Sequence, residues 1–67
     1  MTKVEQLWLL TKMSMAKDCL ARATDGIDTS NIRYALEQIG KCSLHLSDAS
    51  FELDRLNLLE EHLEQNN

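Results

Sequence analysis

The sequence contains no proline and only two glycines among its 67 residues. These two residue types most often interrupt helices, so their scarcity favours long unbroken helices over most of the chain. Long hydrophobic runs are also missing, and no segment is apolar enough to cross a membrane. With 43% hydrophobic and 27% charged residues, the composition is typical of a folded domain rather than a disordered chain.

Cysteine is scarce as well. Cys19 and Cys42 are too few for the disulfide framework of a small secreted protein, and in a reducing compartment we expect both to be small core residues. The first residues, MTKVEQLWLLTKM, include an acidic residue and no small-residue cleavage site, unlike a signal peptide. The sequence therefore predicts a cytoplasmic protein.

Patterns that carry catalysis or bind cofactors are lacking. There is no Gly-rich phosphate loop, no inward-facing Glu-x-x-His pattern and no nucleophile signature, so we predict that the protein is not an enzyme and uses no cofactor. Cys42 and His45 are three residues apart and could form half of a zinc site. A closed zinc site needs four ligands, and no other Cys or His has a suitable spacing, so we predict no metal site.

The residues that are present predict two helices in one domain, residues 1–67. Thr2 and Glu5 match a capping box at a helix start. In the segment TDGIDTSN, Gly26 can end helix 1 and Asp28 can cap helix 2, while Gly40 is a tolerated interior glycine. The predicted ranges are about 2–24 for helix 1, 25–28 for the turn and about 29–65 for helix 2, continuous through SDAS at 47–50.

Both helices carry apolar residues at alternating spacings of three and four, the heptad pattern of packed helices. In helix 1 these are Leu9, Met13, Ala16, Leu20, Ala23 and Ile27. In helix 2 they are Ile32, Ala35, Ile39, Cys42, Leu46, Ala49, Leu53 and Leu56. A turn at 25–28 puts residues whose numbers sum to about 55 in one layer, where large then faces small, as Leu20 faces Ala35. This regularity predicts an antiparallel hairpin with a short helix 1 and a longer helix 2.

The hairpin has more apolar residues than it can bury by itself. In the predicted register the end of helix 2 extends beyond helix 1, and each helix carries a second apolar stripe. Because a chain of this size rarely forms a sufficient core alone, we predict a homodimeric four-helix bundle. We assign the dimer interface to Val4, Trp8, Met15, Leu56, Leu59 and Leu63. We assign the remaining stripe, a candidate partner-binding surface, to Leu44, Asp48, Phe51, Arg55, Leu58 and His62.

The charge of the chain, -4 in total, is unevenly distributed. Residues 1–24 contain four basic and two acidic residues, whereas residues 44–67 contain one basic and six acidic residues. An acidic end repels phosphate backbones and attracts basic protein surfaces, such as that of a DNA-binding regulator. We therefore predict a non-catalytic protein that binds and inhibits another cytosolic protein through apolar anchors flanked by charge.

In its size, its helical-hairpin pattern and its lack of chemistry, the chain resembles small phage-encoded inhibitors. These are the dimeric helical-hairpin antiactivators of quorum-sensing transcription factors and the related inhibitors of the pilus-assembly ATPase. The resemblance extends over the whole hairpin and assigns no individual residues. It implies an antiactivator that acts on a transcriptional regulator, with a pilus-assembly ATPase as a further target, in the cytoplasm of a host cell.

A second class of function stays open. The alternation of large and small seam residues is similar to that of Rop, a dimeric four-helix bundle that binds RNA through helix 1. Here Lys3, Gln6, Lys17 and Lys12 could form a comparable surface. The acidity of the chain makes RNA binding the alternative rather than the main prediction. A structural subunit of a larger assembly is a third possibility.

Overall fold

The chain folds into a hairpin of two long helices. The computed structural model describes residues 1–65, and their side chains through His62. Helix α1 is Lys3–Asp28 and helix α2 is Ile32–Gln65. The predicted all-helical hairpin is thereby confirmed. Its Cα atoms extend over 56 × 18 × 12 Å, so the molecule is two helices wide and one helix thick.

The start of α1 is fixed by the predicted capping box. The Thr2 hydroxyl accepts a hydrogen bond from the Glu5 backbone N–H at 3.1 Å, and the Thr2 N–H donates to Glu5 Oε1 at 2.7 Å. The two bonds satisfy backbone donors that have no partner within the helix. Thr2 and Glu5 therefore set the first turn at the position that the sequence indicates.

The turn lies later in the chain than predicted. Ser30 has a φ of 59° and its N–H donates to the Ile27 carbonyl, while the Asn31 N–H donates to the Gly26 carbonyl at 2.7 Å. This is the Schellman arrangement of a helix end. The Asn31 side chain accepts from the Tyr34 N–H at 3.2 Å and caps α2. The predictions that Gly26 ends the first helix and that Asp28 caps the second were both wrong.

Gly26 has a packing role instead of a capping role. It is a buried residue of α1, and a Cβ added to it would lie 3.0 Å from the backbone N of Ala35 and 3.1 Å from the Ala35 Cβ. The two backbones approach closely here because position 26 has no side chain. Gly40, by contrast, has open space around it and is tolerated inside the continuous α2, as predicted.

The later turn changes the register of the hairpin. Contacts join Gly26 to Ala35, Lys12 to Asp48, and Glu5 to Arg55, so paired residue numbers sum to 60 or 61. The predicted sum of about 55 was wrong because the turn was placed about three residues too early.

The new register also corrects the predicted overhang. Leu56 has α1 beside it and is buried in one cluster with Leu9 and Ala49. With a sum of 60 or 61, the first residue of α1, Lys3, lies opposite positions 57 and 58. Only the part of α2 beyond that point extends past α1.

The seam between the helices is narrow and formed by small residues. The buried hydrophobic residues are Leu9, Ala16, Cys19, Ala23, Ala35, Ala49 and Leu56. Every second residue of the predicted seam, such as Ala16 and Ala49, therefore lies in the seam as predicted. The other seam positions are taken by the residue one earlier, such as Cys19 for Leu20 and Gln38 for Ile39. The large residues predicted there, such as Leu20 and Ile39, are exposed beside the seam.

Candidate protein-binding surfaces

One broad side of the hairpin carries the large residues displaced from the seam. We define the aliphatic face as Met13, Leu20, Ile27, Ile32, Ile39, Leu46 and Leu53, which are 43–75% exposed. Met13 and Leu20 of α1 line one open groove together with Cys42 and Leu46 of α2. Both helices therefore contribute to the same surface. Within each helix the members repeat every seven residues, so the face runs along the length of the hairpin.

The opposite broad side combines aromatic and aliphatic residues. We define the aromatic face as Val4, Trp8, Met15, Leu44, Phe51 and Leu58, all of which are exposed. Trp8 of α1 and Phe51 of α2 line an open groove with Ser47, Asp48 and Glu52. Heptad spacing places Met15 on the side of Trp8, and Leu44 and Leu58 on the side of Phe51. Phe51 is 75% exposed, the largest exposed fraction among the three aromatic residues of the chain.

An ion pair crosses the seam beside Trp8. Lys12 Nζ lies 3.0 Å from Asp48 Oδ2 and 5.4 Å from the centre of the Trp8 ring. The ammonium group is held by a carboxylate and by the face of an aromatic ring. Asp48, which was assigned to partner binding, therefore already has a partner inside the chain.

A second cluster of charges links the start of α1 to α2. Arg55 Nη2 lies 2.9 Å from Glu5 Oε2, and Arg55 Nε donates to Glu52 Oε2 at 3.2 Å. The Thr2 hydrogen bonds, followed by Arg55, lower the pKa of Glu5. The hydrogen bond from Arg55 lowers the pKa of Glu52, and these carboxylates raise the pKa of Arg55. Arg55 thus acts within the hairpin, in addition to any part it has at a partner surface.

The predicted partner-binding residues divide into three groups. Leu44, Phe51 and Leu58 are exposed as apolar anchors on one side of α2. Asp48 and Arg55 pair with α1 across the hairpin. His62, also assigned to this surface, is exposed near the end of α2.

The predicted dimer residues divide as well. Val4, Trp8, Met15 and Leu59 are exposed. Leu56 is 8% exposed and belongs to the core of the hairpin, so little of its side chain is available to a dimer interface. Leu63 lies outside the residues whose side chains the structure describes.

The aliphatic face was not predicted, because its residues were expected inside the hairpin. Two neighbouring positions, such as Lys12 and Met13 or Gln38 and Ile39, can each occupy the second seam position of a heptad. Apolarity favours Met13 and Ile39, but the register fixed by the later turn and by the contact of Gly26 with Ala35 places Lys12 and Gln38 in the seam instead. The small residues Ala16, Ala23 and Gly26 of α1, together with Ala35 of α2, indicated in the sequence that the two helices pack closely.

Two polar atoms in the seam have no hydrogen-bond partner within the part of the chain that the structure describes. They are Gln38 Oε1 and His45 Nδ1. In the observed register Gln38 lies in the layer of Ala23, and His45 in the layer of Ala16. Alanine offers no side-chain donor or acceptor to either of them.

The described residues contain neither a metal-binding cluster nor a membrane span. Among the side chains that the structure describes, no group of three His, Cys, Asp or Glu residues is arranged to hold a metal ion. Over residues 1–65, neither helix combines the length and the apolarity that a membrane span requires.

No family model, curated protein or solved structure matches the chain. Its function must therefore be inferred from the arrangement of its own side chains.

Proposed function

We propose that the protein is a non-catalytic regulator that forms a homodimer through its aliphatic face. Through its aromatic face it binds and inhibits another protein. One observation carries the proposal: a hairpin one helix thick exposes large apolar side chains on both of its broad sides. Burial of each such side chain is worth roughly 1.5–3 kcal/mol, so a small domain gains much from covering them.

The aliphatic face supports dimerisation by its composition. Its heptad rows contain only large apolar residues, as the inner positions of a four-helix bundle do, and Lys17 is the charged residue that lines its groove. All seven side chains are exposed in the single hairpin, and a second copy would bury them in an interface. This assignment replaces the one based on Trp8 and Met15, which lie on the other broad side.

A second copy of the chain fits the aliphatic face in length and pattern. A second hairpin related by a two-fold axis presents the same rows of large residues, so each layer of the bundle would combine two residues from each chain. The small seam residues Ala16 and Ala49 lie between these rows and leave space for the large side chains of the other copy.

The aromatic face supports binding to a different protein. Leu44, Phe51 and Leu58 recur every seven residues along α2, the spacing of anchors on a helix that docks on a partner. Trp8 adds a residue type that often contributes strongly to interfaces. The exposed acidic residues Asp54 and Glu61 on α2 suit a partner with basic surface.

The proposed target is a DNA-binding transcriptional regulator, as in the antiactivators that the chain resembles, with a pilus-assembly ATPase as a further target. RNA binding has less support. Of the four residues that could hold RNA, Lys12 is already paired with Asp48. The three others, Lys3, Gln6 and Lys17, leave a small basic surface on a chain of net charge -4.

Two matched variants test the two faces separately. Leu46→Glu places a charge in the aliphatic face, and Phe51→Glu places the same charge in the aromatic face. Light scattering should give twice the chain mass for the natural protein and for Phe51→Glu, and the single-chain mass for Leu46→Glu. Two chain masses for both variants would contradict dimerisation through the aliphatic face.

Target binding is tested with a purified quorum-sensing transcription factor and its operator DNA. The natural protein should release the factor from DNA in a mobility shift, and Phe51→Glu should do so at least tenfold less effectively. Equal activity of the two proteins would contradict the aromatic face as the docking site. Inactivity of both, together with a salt-sensitive shift of RNA, would favour the Rop-like alternative.

A further inference from the structure

The two cysteines of the chain lie on different helices and face the same seam. Both are free thiols, Cys19 being 4% exposed and Cys42 half-buried. Cys42 also lines the open groove of the aliphatic face, so small molecules in solution can reach it. The proposed dimer would cover this groove, so Cys42 of the natural protein would react from the dissociated chain, and Leu46→Glu, which stays a single chain, should react faster.

The register of the hairpin puts the two cysteines in one layer. Gly26 and Ala35 are in close contact, and a step of seven residues along each helix leads from them to Cys19 and Cys42. Beyond that layer, the bond from Lys12 to Asp48 shows that the same register continues. The cysteine layer is therefore bracketed by contacts on both sides.

The distance between the helices suits a disulfide. A disulfide requires Cβ atoms about 3.5–4.5 Å apart. One heptad away along the seam, a Cβ on Gly26 would lie 3.1 Å from the Ala35 Cβ. Cys19 and Cys42 occupy the equivalent positions, where two real side chains need a somewhat wider spacing, so we expect their Cβ atoms to lie within the range of a disulfide. We infer that Cys19 and Cys42 form a modification site, an intrachain disulfide that closes under oxidation.

The difference in exposure gives the order of the exchange steps. The Cys42 thiolate attacks a small-molecule disulfide such as oxidised glutathione, forming a mixed disulfide and releasing one glutathione thiolate. The Cys19 thiolate then attacks the Cys42 Sγ, and the second glutathione leaves as a thiolate that takes up a proton. The two protein thiols are oxidised and one glutathione disulfide is reduced to two thiols.

The bond would act as a covalent staple on the hairpin. It joins α1 and α2 midway between the turn and the open end, where the core consists of small side chains. Cross-linking positions that are distant in sequence stabilises a fold by restricting the unfolded chain. A small domain benefits particularly from such a constraint.

The test is oxidation of the full-length chain with excess oxidised glutathione. Mass spectrometry should show one chain that has lost about 2 Da, and a non-reduced digest should join the peptides of Cys19 and Cys42. The midpoint of thermal unfolding should rise by about 10 °C and return to its starting value on reduction. Cys19→Ser should stop at the mixed disulfide on Cys42.

The variant Leu46→Glu separates this inference from the proposed dimer. It should form the same intrachain bond, because the bond needs only the seam of one hairpin. A mixed disulfide that persists at Cys42 in the natural chain would overturn the inference, as would cross-linking of two chains without an internal bond.

Discussion

The two glycines have different surroundings: Gly26 lies against the other helix, and Gly40 lies in open space. At position 26 a side chain would meet the backbone of Ala35, whereas at position 40 it would meet open space. The sequence could identify Gly40 as tolerated, because a surface glycine in a helix needs no partner. It could not show that Gly26 packs against Ala35, since that contact depends on a register fixed by residues further along the chain.

This contrast predicts opposite effects for one substitution. Gly26→Gln should lower the free energy of unfolding by about 1–3 kcal/mol, because its side chain overpacks the seam. Gly40→Gln should raise it by about 0.5–1 kcal/mol, because glutamine is a better helix former than glycine. Urea unfolding followed by circular dichroism measures both. Equal effects of the two variants would contradict the close approach at Gly26.

The charge cluster of Glu5, Glu52 and Arg55 predicts a dependence of stability on pH. Both carboxyl groups have a pKa below the ordinary value of 4.5 in the folded chain. Their contribution is therefore fully present above 4.5 and is lost as the pH falls through the lowered folded values. Thermal unfolding of the natural chain should show a fall in the midpoint below pH 4.5.

Glu52→Gln is the control for this dependence, because it removes one titrating group and keeps the size of the side chain. Its unfolding midpoint should fall less steeply over the same pH range. Identical slopes for the two proteins would show that the cluster does not contribute.

At the scale of the helices, the sequence predicted how α1 starts and misplaced where it ends. The capping box is a local pattern, so Thr2 and Glu5 identify it without knowledge of the fold. The sequence is compatible with two ends of α1. One is at Gly26, with Asp28 as the cap of α2, and the other is at Ser30, with Asn31 as the cap. Packing of Gly26 against Ala35 favours the later turn, and that packing is a contact between helices.

The turn itself predicts a gain in stability. Ser30 has a φ of 59°, in the left-handed region where a side chain is strained and glycine is not. Ser30→Gly should raise the free energy of unfolding by about 0.5–1 kcal/mol. Ser50→Gly, in the middle of α2, should lower it by about as much. Chemical unfolding of the two variants compares them, and a loss at Ser30 would contradict the left-handed turn.

Of the two candidate surfaces, part of the aromatic face could be predicted from the sequence and the aliphatic face could not. The stripe of Leu44, Phe51 and Leu58 was identified correctly as lying off the seam, because no heptad seam of α2 includes it. The aliphatic face was hidden, because Ile39 and Leu46 have the same apolarity and nearly the same spacing as true seam residues. Distinguishing them requires the distance between the helices, which follows from the small side chains opposite.

The whole molecule is one helix thick, and this thickness determines which side chains it can bury by itself. A single layer of two helices has two broad sides and no interior beyond its seam, so side chains on each side depend on another molecule for burial. Dimerisation would cover the aliphatic face and leave the aromatic face available. Under this proposal, folding and association of the chain are coupled.

Coupling predicts that stability depends on protein concentration. The midpoint of thermal unfolding of the natural chain should rise by a few degrees for each tenfold increase in concentration, because only the folded chains associate. Leu46→Glu should unfold at a lower midpoint that does not change with concentration, whereas Phe51→Glu should keep the dependence of the natural chain. Differential scanning calorimetry over a hundredfold range makes the comparison. A midpoint independent of concentration in the natural chain would mean that one hairpin is stable with its aliphatic face in water, contrary to the proposed bundle.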